Sequence, residues 1–257
     1  MNRHARTLDG PVNGLGLMAE PMLHGEPLLF DLARYEATLA PWAEHPSRSR
    51  GRAVPESEDG RTPHQRVYRE ILERVFGPEA QARIAEGPAF QVMLAHPAEG
   101  RLADLHALLA GSAYQLEKAI VSRPSSEWAP NLGLEGRLVD ARAAAAQGRM
   151  VELLLRAATI PPIFRIEDWD GRPAVDGGMI DHVPQPEPDR GRTLVLVTRD
   201  YRRMPEAGER ITYVTPSEWV LSGKIDFTDP DKLRRAWTLG QEDGRAFLAH
   251  TDIHGLQ

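Results

Sequence analysis

Short, unbroken apolar runs set between stretches of helical spacing constrain this chain more than any other feature. AFQVMLAHP, TLVLVT and ITYVT place hydrophobic side chains on consecutive rather than alternate positions, the pattern of strands covered on both faces. The first predicts a strand over 89–96, the others strands over 193–198 and 211–215. Between and around them the spacing turns helical. Leu28, Leu32, Tyr35 and Leu39 recur at three and four, which predicts an amphipathic helix ending near Pro41. Val67, Ile71, Leu72 and Val75 repeat the pattern before a Gly77-Pro78 stop. RLADLHALLAGSAYQLEKAIVS, 101–122, reads as a long helix, and 125–164 as a loop around Asn131 and Gly133 with helical stretches on either side of Gly148. A final helix has Asp229 as N-cap, Pro230 at its first position, and Leu233, Trp237 and Leu248 facing inward. Strands separated by helices predict an α/β layered sheet.

At 257 residues and 41% hydrophobic content the chain can bury a sizeable core, and it shows no internal repeat. We therefore expect one domain over 1–257. PSRSRGRAVPESEDGRTP, 46–63, is polar and almost without large apolar groups, so it reads as a flexible surface loop. The formal charge of −6 argues against a nucleic-acid partner, which would call for a basic surface. RSRGR and DYRRMPEAGER, broken by neighbouring acids and prolines, read as solvated surface. With no cysteine, disulfides, thiolate catalysis and Cys-ligated zinc are excluded. The histidines include no H-E-x-x-H pair, and His250 and His254, though spaced i,i+4, are not read as a metal site. No window approaches the roughly 18 apolar residues of a membrane span, and the first residues lack an apolar signal core, so the expectation is a cytoplasmic chain with no transmembrane segment.

VDGGMIDHVP is the stretch that most resembles chemistry. Val175 ends a short extended segment, and Gly177-Gly178 would permit backbone geometry that a side chain forbids. An acid at that bend, Asp176, would project from the C-terminal edge of a sheet, where open α/β folds bind ligands. The competing reading is a plain turn, since Asp-Gly pairs are among the commonest turn formers.

LLLRAATIPPIF, a spacer and then VDGGMIDHVP resembles the distal half of the patatin-like phospholipase family. The features that carry the resemblance are Ala157, Ala158, Pro161, Pro162 and Phe164, then Asp176, Gly177, Gly178 and Pro184. YVTPSEWVLSGKIDFTDPDKLRRAWTLGQEDGRAFL is similar to the family's closing segment, so the resemblance covers 150–250 and touches 1–100 only faintly. It implies a three-layer α/β/α sandwich and a serine acyl hydrolase of lipid metabolism. That enzyme would use a Ser-Asp dyad, with no metal or organic cofactor, on a lipid or ester substrate met at a membrane surface. In that family a serine in a G-x-S-x-G elbow is activated by the DGG aspartate, and a Gly-rich loop supplies the oxyanion hole. By position Asp176 would be the dyad acid, with Gly177 and Gly178 supporting its turn. Burial would equip it to take the serine proton without an intervening histidine. His182, where the family usually has an amide, reads as helping to fix the turn.

The chain also departs from that pattern. None of its serines, Ser47, Ser49, Ser57, Ser112, Ser122, Ser125, Ser126, Ser217 and Ser222, has glycine at both minus two and plus two. Ser112 has one adjacent glycine but lies in a predicted helix, away from any strand-to-helix elbow. GPVNGLGLMAE offers Gly10, Gly14 and Gly16, with no strand expected before it and without the family spacing. The expectation is a partial patatin-like domain that carries the acid half of the dyad, lacks its N-terminal strands and its serine, and self-associates through an open sheet edge. The alternatives are a truncated, non-catalytic relative that binds lipid or a protein partner, and an unrelated α/β protein in which Asp176 only shapes a turn.

Overall fold

The apolar run at 89–97 becomes the middle strand of a sheet. In the computed structural model the described residues are 6–8, 63–100, 133–161, 164–189, 191–198, 201, 204, 210–219 and 230–250. Their elements, in order, are β1 (Arg6–Leu8), α1 (Pro63–Val75), α2 (Pro78–Glu86), β2 (Phe90–Pro97), β3 (Leu134–Asp140), α3 (Ala141–Ala146), α4 (Met150–Ala157), β4 (Glu167–Trp169), β5 (Arg172–Asp176), β6 (Thr193–Leu196), β7 (Ile211–Val214) and α5 (Pro230–His250). The chain divides into two compact units, one of 1–11, 53–189 and 201–204, the other of 12–52, 190–200 and 205–257. The predicted helices at 28–41 and 101–122, the predicted loop up to residue 62, Asp229 and the Leu233 side chain lie outside the description.

The first unit is mixed α/β. One edge of β2 is taken by β3, antiparallel from Gln91↔Asp140 to Pro97↔Leu134. The other edge is divided. β1 runs parallel to its first half, from Arg6↔Phe90 to Leu8↔Val92, and β5 runs antiparallel to its second, through Leu94↔Asp176 and Ala95↔Val175. β4 lies antiparallel beyond β5, joined by a two-residue turn in which Asp170 has φ 50° and Gly171 φ 78°. Paired positive φ values match the twist of the flanking strands, which is why Asp-Gly suits this hairpin.

Residues opposite one another across an antiparallel pair share a face, so the register sorts the side chains. Val92, Leu94 and His96 share a face with Ala174 and Asp176, and helix α4 covers it. Arg156 of α4 pairs with Glu167 and donates to the Asp168 carbonyl at 3.0 Å, while the Arg149 guanidinium lies 4.0 Å from the Trp169 ring centroid. On the opposite face Ala95, Leu134, Val175 and Met179 form a buried cluster, with Ile166 and Ile180 packed against it. Asp140 caps α3 by accepting from the Arg142 and Ala143 amides at 2.9 and 3.4 Å, satisfying donors that the first turn of a helix leaves open.

Several expectations need correction. The Gly77-Pro78 stop does end α1, but Pro78 also opens α2, where its missing N–H costs nothing. Residues 134–140, read as loop and helix, form β3, because LEGRLVD has too few apolar residues to announce a strand that β2 nevertheless pairs along its whole length. A strand, β1, does precede Gly10; three residues are too few to show a period. The sheet is mainly antiparallel, since an apolar run reports burial on two faces but not the direction of the neighbours.

The second unit holds β6 and β7, parallel from Thr193↔Ile211 to Leu196↔Val214, and the helix α5. Its strands are not covered on both faces: Leu194 is 39% and Leu196 48% exposed. Leu248, expected to face inward, is exposed as well, whereas Trp237 is half-buried. No helix among the described residues is long and apolar enough to cross a membrane.

Candidate active site around Asp176

Asp176 ends β5 and is 2% exposed. Its backbone N–H donates to the Thr159 carbonyl at 2.9 Å, and its Oδ1 accepts from the Gly178 N–H at 2.8 Å. Thr159 is buried in turn, its hydroxyl donating to the Leu155 carbonyl at 2.8 Å. The small, buried Ala157 and Ala158 let the chain leave α4 close beside β5, and this physically connects the AATIPP run with the DGG turn. After Asp176 the chain enters one 3₁₀ turn, Gly177–Met179, in which the Ile180 and Asp181 amides both donate to the Gly177 carbonyl.

Gly177 is required for space, and neither glycine for an unusual backbone angle. Among the described residues the positive-φ glycines are Gly100, Gly133, Gly148, Gly171 and Gly191, and neither Gly177 nor Gly178 is among them. A Cβ on Gly177 would stand 2.4 Å from the Met93 carbonyl oxygen and 2.7 Å from its carbon, both backbone atoms of the central strand. Gly177→Ala should therefore destabilise the protein by about 1–3 kcal/mol, the usual cost of forcing an extra carbon into a packed site. Urea unfolding checks this, and an unchanged midpoint would show that the turn can shift away from β2.

At Gly178 a Cβ would lie 3.0 Å from His182 Nδ1 and 3.1 Å from Asp176 Oδ1. The carboxylate and the imidazole thus converge on the space that the missing side chain leaves. The His182 ring also stands near Tyr201, with centroids 6.2 Å apart. The Asp181 Oδ1 accepts from the Val183 amide at 3.0 Å and closes its own turn. The chain then returns along β2, where Gln91 and the Glu187 backbone exchange two hydrogen bonds of 2.7 and 2.9 Å.

The register adds a feature that sequence reasoning missed. Leu8, the last residue of β1, pairs with Val92, and Asp176, the last of β5, pairs with Leu94. Two strands therefore end tip to tip along one edge of β2, with only Met93 between their partners. Past Asp176 the chain turns away from β2 into the 3₁₀ turn. The carboxyl ends of β1 and β5 thus face each other across one residue of the sheet edge. No short-range signal marks this juxtaposition, because it joins residues 8, 93 and 176.

The other candidates fall elsewhere. Ser217 is in the second unit, its amide donating to Asp243 Oδ2 at 3.0 Å; the remaining serines lie outside the described residues. His250 Nδ1 donates to the Ala246 carbonyl of its own helix at 2.7 Å, and His254 is not described. Among the described residues no group of three or more His, Asp or Glu side chains is arranged to hold a metal ion. No family model, curated protein or solved structure matches the chain.

Proposed function

We propose that this chain carries the acid half of a patatin-like lipid acyl hydrolase, with Asp176 as the base of a Ser-Asp dyad. The observation that supports this reading best is the setting of Asp176: a buried carboxylate at a strand's carboxyl end, where β1 and β5 end on either side of Met93. In that role Asp176 takes the proton of an attacking serine hydroxyl and passes it to the alcohol that leaves as the ester C–O bond breaks; water, giving its proton to Asp176, then attacks the acyl-serine and frees the acid as the serine oxygen regains a proton. The Gly178 amide keeps the carboxylate oriented. The three-layer α/β/α arrangement belongs to the same proposal, with α4 as part of one outer layer.

The sequence contains no G-x-S-x-G, so these 257 residues alone should neither react stoichiometrically with a fluorophosphonate nor turn over a short-chain p-nitrophenyl ester. Labelling of a single serine, with turnover lost in its alanine variant, would assign the nucleophile to an unforeseen residue. The decisive test is a form of the protein that carries such an elbow, in which turnover must depend on Asp176.

The exposed Leu194, Leu196 and Trp219 of the second unit favour a second reading, a non-catalytic lipid-binding relative. Co-sedimentation with lipid vesicles that is abolished by polar replacement of these three, with no turnover in any elbow-bearing form, would select it.

A further inference from the structure

Among the described residues His96 is the one buried imidazole, and the proposed chemistry does not use it. It sits near the end of β2 at 1% exposure, and its Nδ1 lies 2.9 Å from the Pro173 carbonyl of β5. A carbonyl only accepts, so Nδ1 carries the proton and the neutral ring leaves Nε2 as a bare acceptor. Nε2 is also buried, with no hydrogen-bond partner among the described residues. The charges around the ring are arranged against a second proton. On β3, Glu135 stands directly opposite His96, and Arg137 follows on the same face. On β5, Arg172 and Asp176 share that face, and Arg172 Nη2 reaches Glu135 at 2.9 Å, a bridge from β5 to β3. The α4 charges over this face are engaged elsewhere, Arg156 with Glu167 and Glu152 with Arg149.

We infer that His96 is a proton-operated clasp on β5: neutral, it holds the Pro173 carbonyl and so the strand that ends in Asp176; protonated, it releases that strand from β2. A proton added to Nε2 would create a buried donor without an acceptor and a buried charge beside two guanidiniums. Burial first, with Arg172 and Arg137 adding to it against the Pro173 bond and Glu135, holds the imidazole below its ordinary value. The ring can gain water only by swinging out, which breaks the Pro173 bond. β5 is the element that can yield, because its register with β2 is two residue pairs long, whereas β3 pairs with β2 over seven. The sign follows from linkage. The unfolded chain binds the proton near pH 6.5 and the folded chain does not, so the contribution of His96 is complete above that pH and is lost as pH falls below it. The device operates whether Asp176 is a catalytic base or only shapes the turn, so its failure and that of the hydrolase reading are separable.

The test uses the whole chain. Long-range ¹H–¹⁵N spectra should show His96 as the neutral Nδ1–H tautomer, titrating below the ordinary imidazole value of about 6.5. Between pH 6.5 and the point at which it titrates, amide exchange at 174–176, corrected for intrinsic rates, should accelerate by up to about tenfold per pH unit, the slope of a one-proton linkage. Exchange in β3 should not follow. His96→Gln, whose amide can still donate to Pro173 but cannot titrate, should abolish that acceleration. The inference is overturned if the ring titrates at or above 6.5, or if the acid acceleration persists in the Gln variant. Should that variant fail to fold, the titration and exchange of the unaltered protein decide the matter alone.

Discussion

Asp176→Asn, made in a form of the protein that carries a G-x-S-x-G elbow as further sequence of its own or as a fused segment, should lower ester turnover by about 10²- to 10⁴-fold, the usual cost of losing a general base. The fold should survive the change. Asn keeps an Oδ1 that can accept from the Gly178 amide, and the backbone bond to Thr159 does not involve the side chain. Equal urea midpoints for the two proteins would confirm that only chemistry was removed. Loss of the proton acceptor should appear in kcat and kcat/KM together, because the interaction exists only as the serine proton moves. Asp181→Asn is the matched control, since Asp181 bonds to the Val183 amide in a turn of its own, and it should cost little. Near-normal turnover in Asp176→Asn would reduce DGG to a turn and end the hydrolase reading.

Leu94→Ala should destabilise the protein by about 2–5 kcal/mol, the range for truncating a fully buried leucine. Leu94 is 0% exposed, pairs with Asp176 across the β2–β5 junction, and lies on the face that α4 covers. Removing it leaves a cavity at the centre of the first unit that neither strand can close without breaking its register. Leu194→Ala is the contrasting change, on a strand residue already 39% exposed, and should stay within about 0.5 kcal/mol. Denaturant unfolding measures both. Similar losses for the two would mean that the β6–β7 face is covered in solution.

Both expectations depend on facts that the sequence reveals to different depths. The strand at β2 was legible because consecutive apolar residues have few other uses in a short run. Helix α1 was legible because its spacing is periodic and a Gly-Pro stop follows. β3 was not, since four charged or glycine positions in LEGRLVD dilute the signal that its partner overrides. The two Asp-Gly pairs illustrate the limit best. Asp170-Gly171 adopts the positive φ values that make the pair a hairpin turn, whereas Gly177 is needed for contact with the Met93 backbone, which lies 84 positions earlier in the chain.

His96 stood in the sequence as one histidine among 9; nothing nearby marks it as buried or names Pro173 as its partner. The sequence by itself determined the apolar segments, the helix stops, the absence of thiol chemistry and the position of one distinctive acid, because each depends on residue type and local spacing. Only the tertiary structure decided that β1 and β5 end on either side of Met93 along one edge of β2, that Asp176 and His182 converge at Gly178, and that His96 is buried on the face it shares with Glu135, Arg137 and Arg172. Those are meetings of residues far apart in the chain, set by strand register and burial, which no local pattern encodes.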